Sequence, residues 1–384
     1  MERSELRDRF KSSPLSARKE GVRLIAVDRA LDDLRRGMPV VLVGGDAHYA
    51  VAAAERISDE TIAWLNNFGG GEPFLVISAH RARTLKIKQT GSEAVAVRGS
   101  GHLAAADIAT LVDPTADLDH PMRGPFVALQ EQPGEELRAA LMLNRLARLL
   151  PAAVMTRIGQ KYDPPGLRES EPFLSVSTKE IFSHETSAAE SLVAVSEAHV
   201  PLVGAVKTRI IVFRPKTGGV EHLAIIIGEP SRSVPALVRL HSECFTGDLL
   251  GSLRCDCGQQ LRGAVDAISE GGGGVLLYLA QEGRGIGLVN KLRAYQLQDQ
   301  GYDTIDANQR LGFEADERIF LPAAKMLRNL GFNSVRLLTN NPHKVSALEL
   351  NGIEVIERVS HSFPANDHNL KYLETKAKRS GHLL

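Results

Sequence analysis

Three cysteines, Cys244, Cys255 and Cys257, are the only ones in the 384-residue chain, and they lie in one short segment. Three thiolates can occupy three corners of a zinc tetrahedron and leave the fourth for water, which is the arrangement of catalytic zinc sites. Free cysteine also occurs as a small apolar core residue, but unrelated core cysteines have no reason to cluster. The spacing therefore favours a metal site whose bound water could hydrolyse an electrophilic carbon.

A glycine-rich segment follows a predicted strand and precedes a predicted helix, with Gly283, Gly285 and Gly287 around Arg284. Glycine allows a ligand to approach the backbone closely, helix N-terminal amides bind phosphate, and arginine can add a two-pronged phosphate contact. A tight connection without any ligand would use the same glycines. The segment is a candidate phosphate site, but its sequence alone does not distinguish such a site from a tight connection.

Two further segments place polar residues next to predicted elements. Asp316 and Arg318 are predicted to open a helix, where an acidic first turn and a solvated arginine are ordinary; a phosphate site is the alternative. Thr339 and Lys344 lie between a predicted strand and a predicted helix. These two residues could bind phosphate or base edges, or they could form an ordinary capped turn.

Acidic and basic residues balance, with 46 of each and a formal net charge of zero. The chain therefore has no overall basic field to attract nucleic acid or an anionic membrane. Its first residues are charged and lack an apolar signal core, and no apolar run reaches about 18 residues. We expect neither a nucleic-acid nor a membrane partner. The odd number of cysteines and the thiolate cluster predict a reducing, cytoplasmic location.

The length predicts two domains, and apolar periodicity predicts helices and strands along both. The expected fold class is α/β (α+β), with two mixed α/β domains that each have a mixed sheet and flanking helices. We place a polar leader at 1–22, a first domain at 23–200 and a second domain at 201–384. Helices are predicted at 27–36, 58–67, 102–112, 135–150, 178–182, 188–199, 258–270, 288–300, 316–330 and 342–350, and strands at 39–43, 73–78, 93–98, 153–157, 206–213, 221–228, 236–241, 275–279, 335–339 and 353–358.

Taken together, the motifs of the second half resemble GTP cyclohydrolase II. The segments that carry the resemblance come in that family's order: 241–261 with the cysteines, 281–288 with the glycines, 291–295, 311–318 and 338–342. The family opens the imidazole ring of GTP, releases formate and pyrophosphate, and yields the diaminopyrimidinone ribosylamine phosphate that begins riboflavin biosynthesis. The resemblance covers about residues 201–384 and implies the same reaction for this chain.

The resemblance also implies roles for individual residues. Cys244, Cys255 and Cys257 would hold one zinc ion per chain, and Tyr295 would assist at that centre. Arg318 is the family's proposed nucleophile at the α-phosphorus, with transition-state stabilisation as its competitor, and Asp316 would take its proton. Magnesium would accompany the triphosphate, and a homodimer is expected. The positions that match GTP contacts are Arg239, Leu240, His241, Ser242, Glu243, Gln260, Glu282, Gly283, Arg284, Thr304, Thr339 and Lys344.

The first half is similar in layout to 3,4-dihydroxy-2-butanone 4-phosphate synthase, which is often fused ahead of the cyclohydrolase. The likeness lies in the segments 30–37, 39–43 and 53–55. That synthase needs an acidic metal-binding run directly after the strand, whereas the run at 44–51 has one acid, and the later segment at 134–139 lacks the family's histidine. Without clustered carboxylates a magnesium site lacks support. We expect this domain to keep the fold, to lack the activity, and to serve dimerisation or regulation.

Two alternatives to a GTP cyclohydrolase stay open. One is a ring-opening hydrolase that acts on another nucleotide, which a replaced Glu282 would favour. The other is a catalytically silent nucleotide-binding regulatory protein, which the loss of a zinc thiolate or of Arg318 would favour. All of these residues are present in the sequence.

Overall fold

The computed structural model describes residues 15–370 apart from 46, 69, 89–92, 100–103, 122, 123, 125, 130–133 and 160–172, together with 375, 378, 379 and 381. Within these ranges the chain forms twelve α-helices and fourteen strands, arranged in two seven-stranded sheets. Both sheets contain parallel and antiparallel pairs, which confirms the expected fold class.

The first unit contains the first sheet, whose strand order is β5-β4-β3-β6-β2-β1-β7. Its strands alternate with helices that bury one face against the sheet. The strands are β1 (Val40–Val43), β2 (His48–Ala53), β3 (Phe74–Ser78), β4 (Ala94–Gly99), β5 (Phe126–Ala128), β6 (Ala152–Arg157) and β7 (Ser175–Ser177). The helices are α1 (Leu15–Arg35), α2 (Asp59–Phe68), α3 (Ala79–Thr84), α4 (Ala105–Val112), α5 (Gly134–Leu146) and α6 (Thr178–Glu190).

The second unit contains the second sheet, in the order β14-β13-β11-β12-β10-β9-β8. Four neighbouring strands, β14, β13, β11 and β12, run parallel, so their carboxyl ends share one edge, where ligands of α/β sheets bind. The strands are β8 (Leu192–His199), β9 (Thr208–Pro215), β10 (His222–Gly228), β11 (Ala236–Ser242), β12 (Gly273–Leu279), β13 (Ser334–Leu338) and β14 (Glu354–Val359). The helices are α7 (Phe245–Asp248), α8 (Cys257–Glu270), α9 (Gly287–Asp299), α10 (Thr304–Arg310), α11 (Leu321–Leu330) and α12 (Pro342–Leu350).

Two predicted helices differ from the structure. The segment predicted as a helix at 188–199 is mostly the strand β8, which pairs with β9 in the second sheet; pairing across the sheet outweighs its local helical pattern. The helix predicted from Asp316 begins only at Leu321, because the preceding residues connect to the glycine-rich loop, where Glu317 N donates to the carbonyl of Arg284 at 3.0 Å.

The limits of the units also differ in detail from the sequence-based division. Since β8 pairs with β9, the first residues of the second sheet precede residue 201. Part of the predicted leader, from Leu15 onward, belongs to α1, and residues 1–14 lie outside the described residues. The predicted helix at 102–112 corresponds to α4, and its first two residues also lie outside them. None of the helices in the described ranges has the length and apolar character needed to cross a membrane.

The two units share one apolar core. Side chains of the first sheet and its helices, including Leu111 and Val154, form a single cluster with Ala294 and Leu297 of α9 and with Phe313. Because α9 is packed between the units, its opposite side is positioned toward the edge of the second sheet. The helix therefore ties the first unit to the residues at that edge.

Candidate active site

The three cysteines converge on one point. Cys244 follows β11, Cys255 precedes α8, and Cys257 begins α8. Their Sγ atoms all lie within 4.8 Å of one another, and those of Cys244 and Cys255 are 3.7 Å apart. Tetrahedral bonds of about 2.3 Å to zinc place two sulfurs about 3.8 Å apart. The three sulfurs therefore fit a single ion, and no other cluster of three or more metal-ligating side chains occurs among the described residues.

Gly247 keeps the space beside the sulfurs free of side-chain atoms. A Cβ at this position would lie 2.7 Å from the Sγ of Cys255 and 3.1 Å from that of Cys244. Real Cβ atoms do not approach sulfur that closely without a shift of the ligand. The cluster thus depends on a glycine in α7 that the sequence motifs do not mark.

The three sulfurs differ in protonation when no ion is bound. Hydrogen bonds from Cys255 and Cys257, together with the ammonium of Lys291, hold the pKa of Cys244 far below its usual value. The resulting thiolate raises the pKa of Cys255 to about 11, and it raises that of Cys257 as well. Two of the three thiols therefore keep their protons near neutral pH, and a metal ion would displace them as it binds.

A buried ion pair stands behind the cluster. The Nζ of Lys291 donates to the Sγ of Cys244 at 3.0 Å, to the Oγ1 of Thr246 at 2.9 Å and to Oε1 of Glu282 at 2.8 Å. Burial acts to lower the pKa of Lys291, but the bond to Glu282 and the negative sulfur outweigh it, so the pKa lies above its usual value. The lysine is a fixed cation that orients and neutralises a ligand sulfur.

Glu282 is itself held by several donors. Its Oε1 also accepts from the N–H of Gly283 at 2.9 Å, and its Oε2 accepts from the N–H of Phe245 at 2.6 Å. Gly283 and Arg284 both have positive φ, 64° and 61°, so the loop turns sharply at this point. Since each carboxylate oxygen can accept more than one bond, Oε2 retains acceptor capacity toward the cleft.

A cleft extends from the sulfurs along the carboxyl edge of the parallel strands. Sixteen of the eighteen residues selected from the sequence line it, and Asp316 and Leu240 do not. The sixteen are Arg239, His241, Ser242, Glu243, Cys244, Cys255, Cys257, Gln260, Glu282, Gly283, Arg284, Tyr295, Thr304, Arg318, Thr339 and Lys344. The structure thus brings residues from five separate motifs into one site.

Leu240 differs from the other predicted contacts. Side chains alternate along a strand, so Arg239 and His241 of β11 face the cleft while Leu240 packs in the core of the second sheet. Its carbonyl oxygen accepts a bond of 2.7 Å from the Nζ of Lys344. Leu240 acts on the cleft through its backbone and not through its side chain.

Arg239 is a buried cation on the floor of the cleft. Its Nη1 donates to the carbonyl of Leu338 at 2.9 Å, its Nη2 contacts Oε1 of Gln260, and its buried Nε has no partner among the described residues. Burial lowers the pKa of Arg239 to about 10, which still leaves it charged at neutral pH. A charged group with an unused donor is suited to bind an anionic or carbonyl-bearing ligand.

Arg318 lines the cleft, and Asp316 holds its guanidinium. Its Nε donates to Oδ1 of Asp316 at 2.8 Å, and its Nη1 donates to the Oγ of Ser242 at 3.2 Å. Burial acts to raise the pKa of Asp316, but the bonds and charge of Arg318 hold the pKa below its usual value. Asp316 does not line the cleft itself and acts on it through the guanidinium.

Tyr295 lies one helical turn from Lys291 on α9. Burial raises the pKa of its phenol to about 12, so the hydroxyl keeps its proton at neutral pH and can donate a hydrogen bond. The ring lies near two cations, at 5.0 Å from the guanidinium carbon of Arg254 and 5.8 Å from the Nζ of Lys291.

Several cleft residues were not selected from the sequence. Lys291 could have been, because it stands four residues before Tyr295 and residues so spaced share a helix face. His361 comes from beyond β14, and its Nε2 lies 2.8 Å from the carbonyl of Gln260; nothing in the local sequence indicates its position. The other additions are Ile286, Ala294, Gln298, Asn308, Asn340 and Asn341.

Comparison with known proteins extends these observations. A model of the GTP cyclohydrolase II family matches residues 193–360. "GTP cyclohydrolase-2" of Azospirillum brasilense is 51% identical over 360 residues, which cover 93% of this chain and 94% of the relative. "Riboflavin biosynthesis protein RibBA" of Bacillus cereus is 37% identical over an alignment of 401 positions, and the match covers 93% of this chain and 98% of the relative.

One solved structure matches most of the chain. RibBX of A. baumannii, a two-domain 3,4-dihydroxy-2-butanone 4-phosphate synthase, is 18% identical and covers 88% of this chain and 99% of its own, with a TM-score of 0.35. At that score the likeness is weak.

The cleft brings three converging sulfurs together with arginine and lysine side chains, an arrangement suited to the class of hydrolases that act on anionic substrates. The matched family model and the identity with known relatives narrow this class to one family. The chain belongs to the GTP cyclohydrolase II family of riboflavin biosynthesis.

Proposed function

We propose that the chain is a zinc-dependent GTP cyclohydrolase II, which hydrolyses the guanine imidazole ring of GTP and releases formate and pyrophosphate. The observation that carries the proposal is the single cleft that contains both the three sulfurs and Arg318. The sulfurs suit metal-assisted attack at a carbon, and the guanidinium of Arg318 suits a phosphate group. Membership of the family supports GTP as the substrate.

Cys244, Cys255 and Cys257 would hold the zinc, which when bound supplies water acidified enough to attack near neutral pH. Lys291 holds the sulfur of Cys244 in place through its 3.0 Å bond. The phenol of Tyr295 stays protonated because burial raises its pKa to about 12. Tyr295 would therefore orient the reacting atoms by donating a hydrogen bond, not by accepting a proton.

Arg318 would act on the α-phosphate. The guanidinium donates from both Nε and Nη2 to Asp316, and those two bonds need the protons to stay on Arg318. A protonated guanidinium is a poor nucleophile, so these contacts favour transition-state stabilisation over covalent attack. Asp316 would position the guanidinium.

The remaining cleft residues would bind the nucleotide. Glu282 would accept from the guanine edge with the free capacity of Oε2, and Arg239 and Lys344 would neutralise phosphate. The other proposed contacts are the backbone of Leu240 and Gly283, together with His241, Ser242, Glu243, Gln260, Arg284, Thr304 and Thr339. Magnesium on the triphosphate would balance the charge that these cations leave.

The proposal is tested by incubating the purified protein with GTP while formate, pyrophosphate and bound zinc are measured. We expect about one zinc per chain and release of both products. Cys255→Ser should lose zinc and formate release together, while wild-type protein stripped by a chelator should recover both when zinc is restored. Formate release by a zinc-free Cys255→Ser variant would contradict the metal-assisted mechanism.

We further propose a cytoplasmic homodimer, as the family resemblance implies. The balance of 46 acidic and 46 basic residues agrees with the absence of a nucleic-acid or membrane partner. Sedimentation at several concentrations measures the oligomeric state directly, and a monomer throughout would contradict the dimer.

For the first unit we propose a synthase-like fold without synthase activity. The acidic run expected after β1 is reduced to one acid, Asp46, which lies outside the described residues. The full-length protein should leave ribulose 5-phosphate unchanged with magnesium present. Formation of dihydroxybutanone phosphate would contradict this proposal.

A further inference from the structure

Arg148 occupies a backbone position that normally belongs to glycine. It lies two residues beyond the end of α5, with a φ of 59°. Its N–H donates to the carbonyl of Arg145, and the next N–H, of Leu149, donates to Asn144, both at 2.9 Å. This helix-ending turn favours glycine because a left-handed backbone is strained for residues with a Cβ.

The side chain crosses to the second unit. Its stem fills the space beside Gly287, where a Cβ would lie 3.1 Å from the Cδ of Arg148. The buried amide of Asn290 holds the backbone by donating from Nδ2 to the carbonyl of Arg148 at 3.0 Å. The Nη2 of Arg148 then donates to the carbonyl of Ala280 at 3.3 Å. The glycine-rich loop of the second unit therefore receives an arginine from the first unit.

The guanidinium of Arg148 has no ion pair with a carboxylate within the described ranges, and the residue is exposed. It lines a cavity of about 860 Å³ between the units, and Arg318 lines both this cavity and the candidate active site. The other first-unit arginines of the cavity are paired: Arg35 with Asp32 at 2.8 Å, and Arg145 with Glu317 at 3.6 Å. Arg148 is thus a cation without an acidic partner among the residues described, in the cavity that Arg318 also lines.

We propose that Arg148 of the first unit binds the outer phosphates of the nucleoside triphosphate, beyond the phosphate at Arg318. The assignment rests on the proposed function, which puts a triphosphate in this cleft. A guanidinium fork matches two phosphate oxygens, and a phosphate chain that extends past Arg318 enters the cavity that Arg148 lines. The first unit would then complete the substrate site of the second.

The test compares Arg148→Gly with Lys86→Gly. Glycine removes the guanidinium while it favours the left-handed backbone, so the turn should persist. Lys86 is a matched control: its φ is 58°, it is exposed, and the same two turn bonds, at 3.0 and 2.9 Å, join residues 86 and 87 to the end of α3. It does not line either cavity. Arg148→Gln, which keeps the first three side-chain carbons and a polar end without the charge, is a second variant.

Binding of inorganic tripolyphosphate is measured by calorimetry on the zinc-loaded full-length proteins, with KM and kcat for GTP alongside. Both Arg148 variants should raise the Kd and the KM about tenfold, the effect of losing a charged hydrogen bond, and change kcat little. Lys86→Gly should match the wild type, and inhibition by guanosine, which has no phosphate, should be equal in all four proteins.

Two results would overturn the assignment. One is an unchanged Kd for tripolyphosphate in Arg148→Gly, and the other is an equal loss of guanosine and tripolyphosphate affinity, which would indicate general disturbance of the cleft. If the wild type released no formate from GTP, the proposed function would fail instead. The tripolyphosphate comparison would still decide whether Arg148 is an anion-binding residue.

Discussion

Lys291 contributes both to folding stability, through its buried ion pair with Glu282, and to the candidate active site, through its bond to Cys244. Both side chains of the ion pair are nearly excluded from water, with 10% and 4% of their surface exposed. Removal of one partner of such a pair leaves an uncompensated buried charge, which costs more than the pair contributes when it is intact. The same lysine fixes the sulfur of Cys244, so its loss has two measurable consequences.

We predict that Lys291→Met lowers the free energy of unfolding by about 3 kcal/mol, because Glu282 stays buried without its cation. Urea unfolding measures the change. The control is Lys325→Met, whose partly exposed pair with Glu190 should contribute less than about 1 kcal/mol. The double variant Lys291→Met/Glu282→Gln should recover part of the loss, and no recovery would argue against a charge effect.

His222 gives stability a dependence on pH. It is 8% exposed, its Nδ1 accepts from the N–H of Ala280 at 3.1 Å, and burial, assisted by Arg148, lowers its pKa from 6.5 to about 4. Below pH 6.5 the unfolded chain binds a proton at this residue and the folded chain does not, so stability falls as the pH falls from 6.5 toward 4.

We predict that His222 accounts for a stability loss of about 2 kcal/mol between pH 7 and pH 5. In His222→Asn, whose amide oxygen can still accept from Ala280, that part of the pH dependence should disappear. Urea unfolding at pH 7, 6 and 5 tests this, with exposed His199→Asn as the control that keeps the wild-type slope. Parallel slopes for wild type and His222→Asn would show that the histidine does not titrate as proposed.

At the scale of elements, the short helix α7 decides whether the three cysteine sulfurs can meet. Gly247 in this helix faces the sulfurs, and a Cβ there would also lie 2.9 Å from the Cβ of Cys257. The helix is only four residues long, so its position is set by the contacts at its two ends. One added carbon atom should therefore move a ligand and not the whole helix.

We predict that Gly247→Ala lowers the zinc content and formate release at least about tenfold, since a ligand atom displaced by a few tenths of an ångström leaves the tolerated geometry. Metal analysis and activity assays measure both quantities. Gly71→Ala, where a Cβ meets nothing within 4 Å, should behave as the wild type. Full zinc loading of Gly247→Ala would show that the cluster tolerates the methyl group.

The sequence predicted most elements because their apolar periodicity agrees with their final surroundings. It predicted that the three cysteines would lie together, because unrelated core cysteines have no reason to cluster in one short segment. It predicted a helix where the strand Leu192–His199 forms, because pairing with β9 determines that segment's conformation. It also placed the start of α11 too early, because contacts with the glycine-rich loop hold the preceding residues outside the helix. His361 was missed because only the folded chain brings it to the cleft. Lys291 was overlooked, although its spacing from Tyr295 places both on one helix face.

At the scale of the whole molecule, the two units behave as one packed body. The apolar cluster that contains Leu111 and Val154 of the first unit also contains Leu297 and Phe313 of the second. Polar contacts reinforce this packing: Arg293 of α9 pairs with Glu55 at 2.9 Å and with Asp113 at 3.1 Å. Cooperative unfolding is expected when neither unit can lose its structure without exposing the other's core.

We predict a single thermal transition for the full-length protein in scanning calorimetry. Phe313→Ala should lower the midpoint by several degrees without splitting it, because the cost of about 3–5 kcal/mol falls on a core that both units share. Leu137→Ala, in the first unit's separate cluster, should shift the same transition. Two resolved transitions in the wild type would contradict the shared core.

The position of α9 between the units restricts how a chain of this kind could lose its first unit in evolution. A related chain without its first 190 residues would expose Ala294, Leu297 and Phe313 to water as an apolar surface next to the candidate active site. Loss of the first unit would be tolerated only after several of these apolar residues had been replaced together by polar ones. The first unit can therefore be retained for its packing against α9 alone, whatever its own activity.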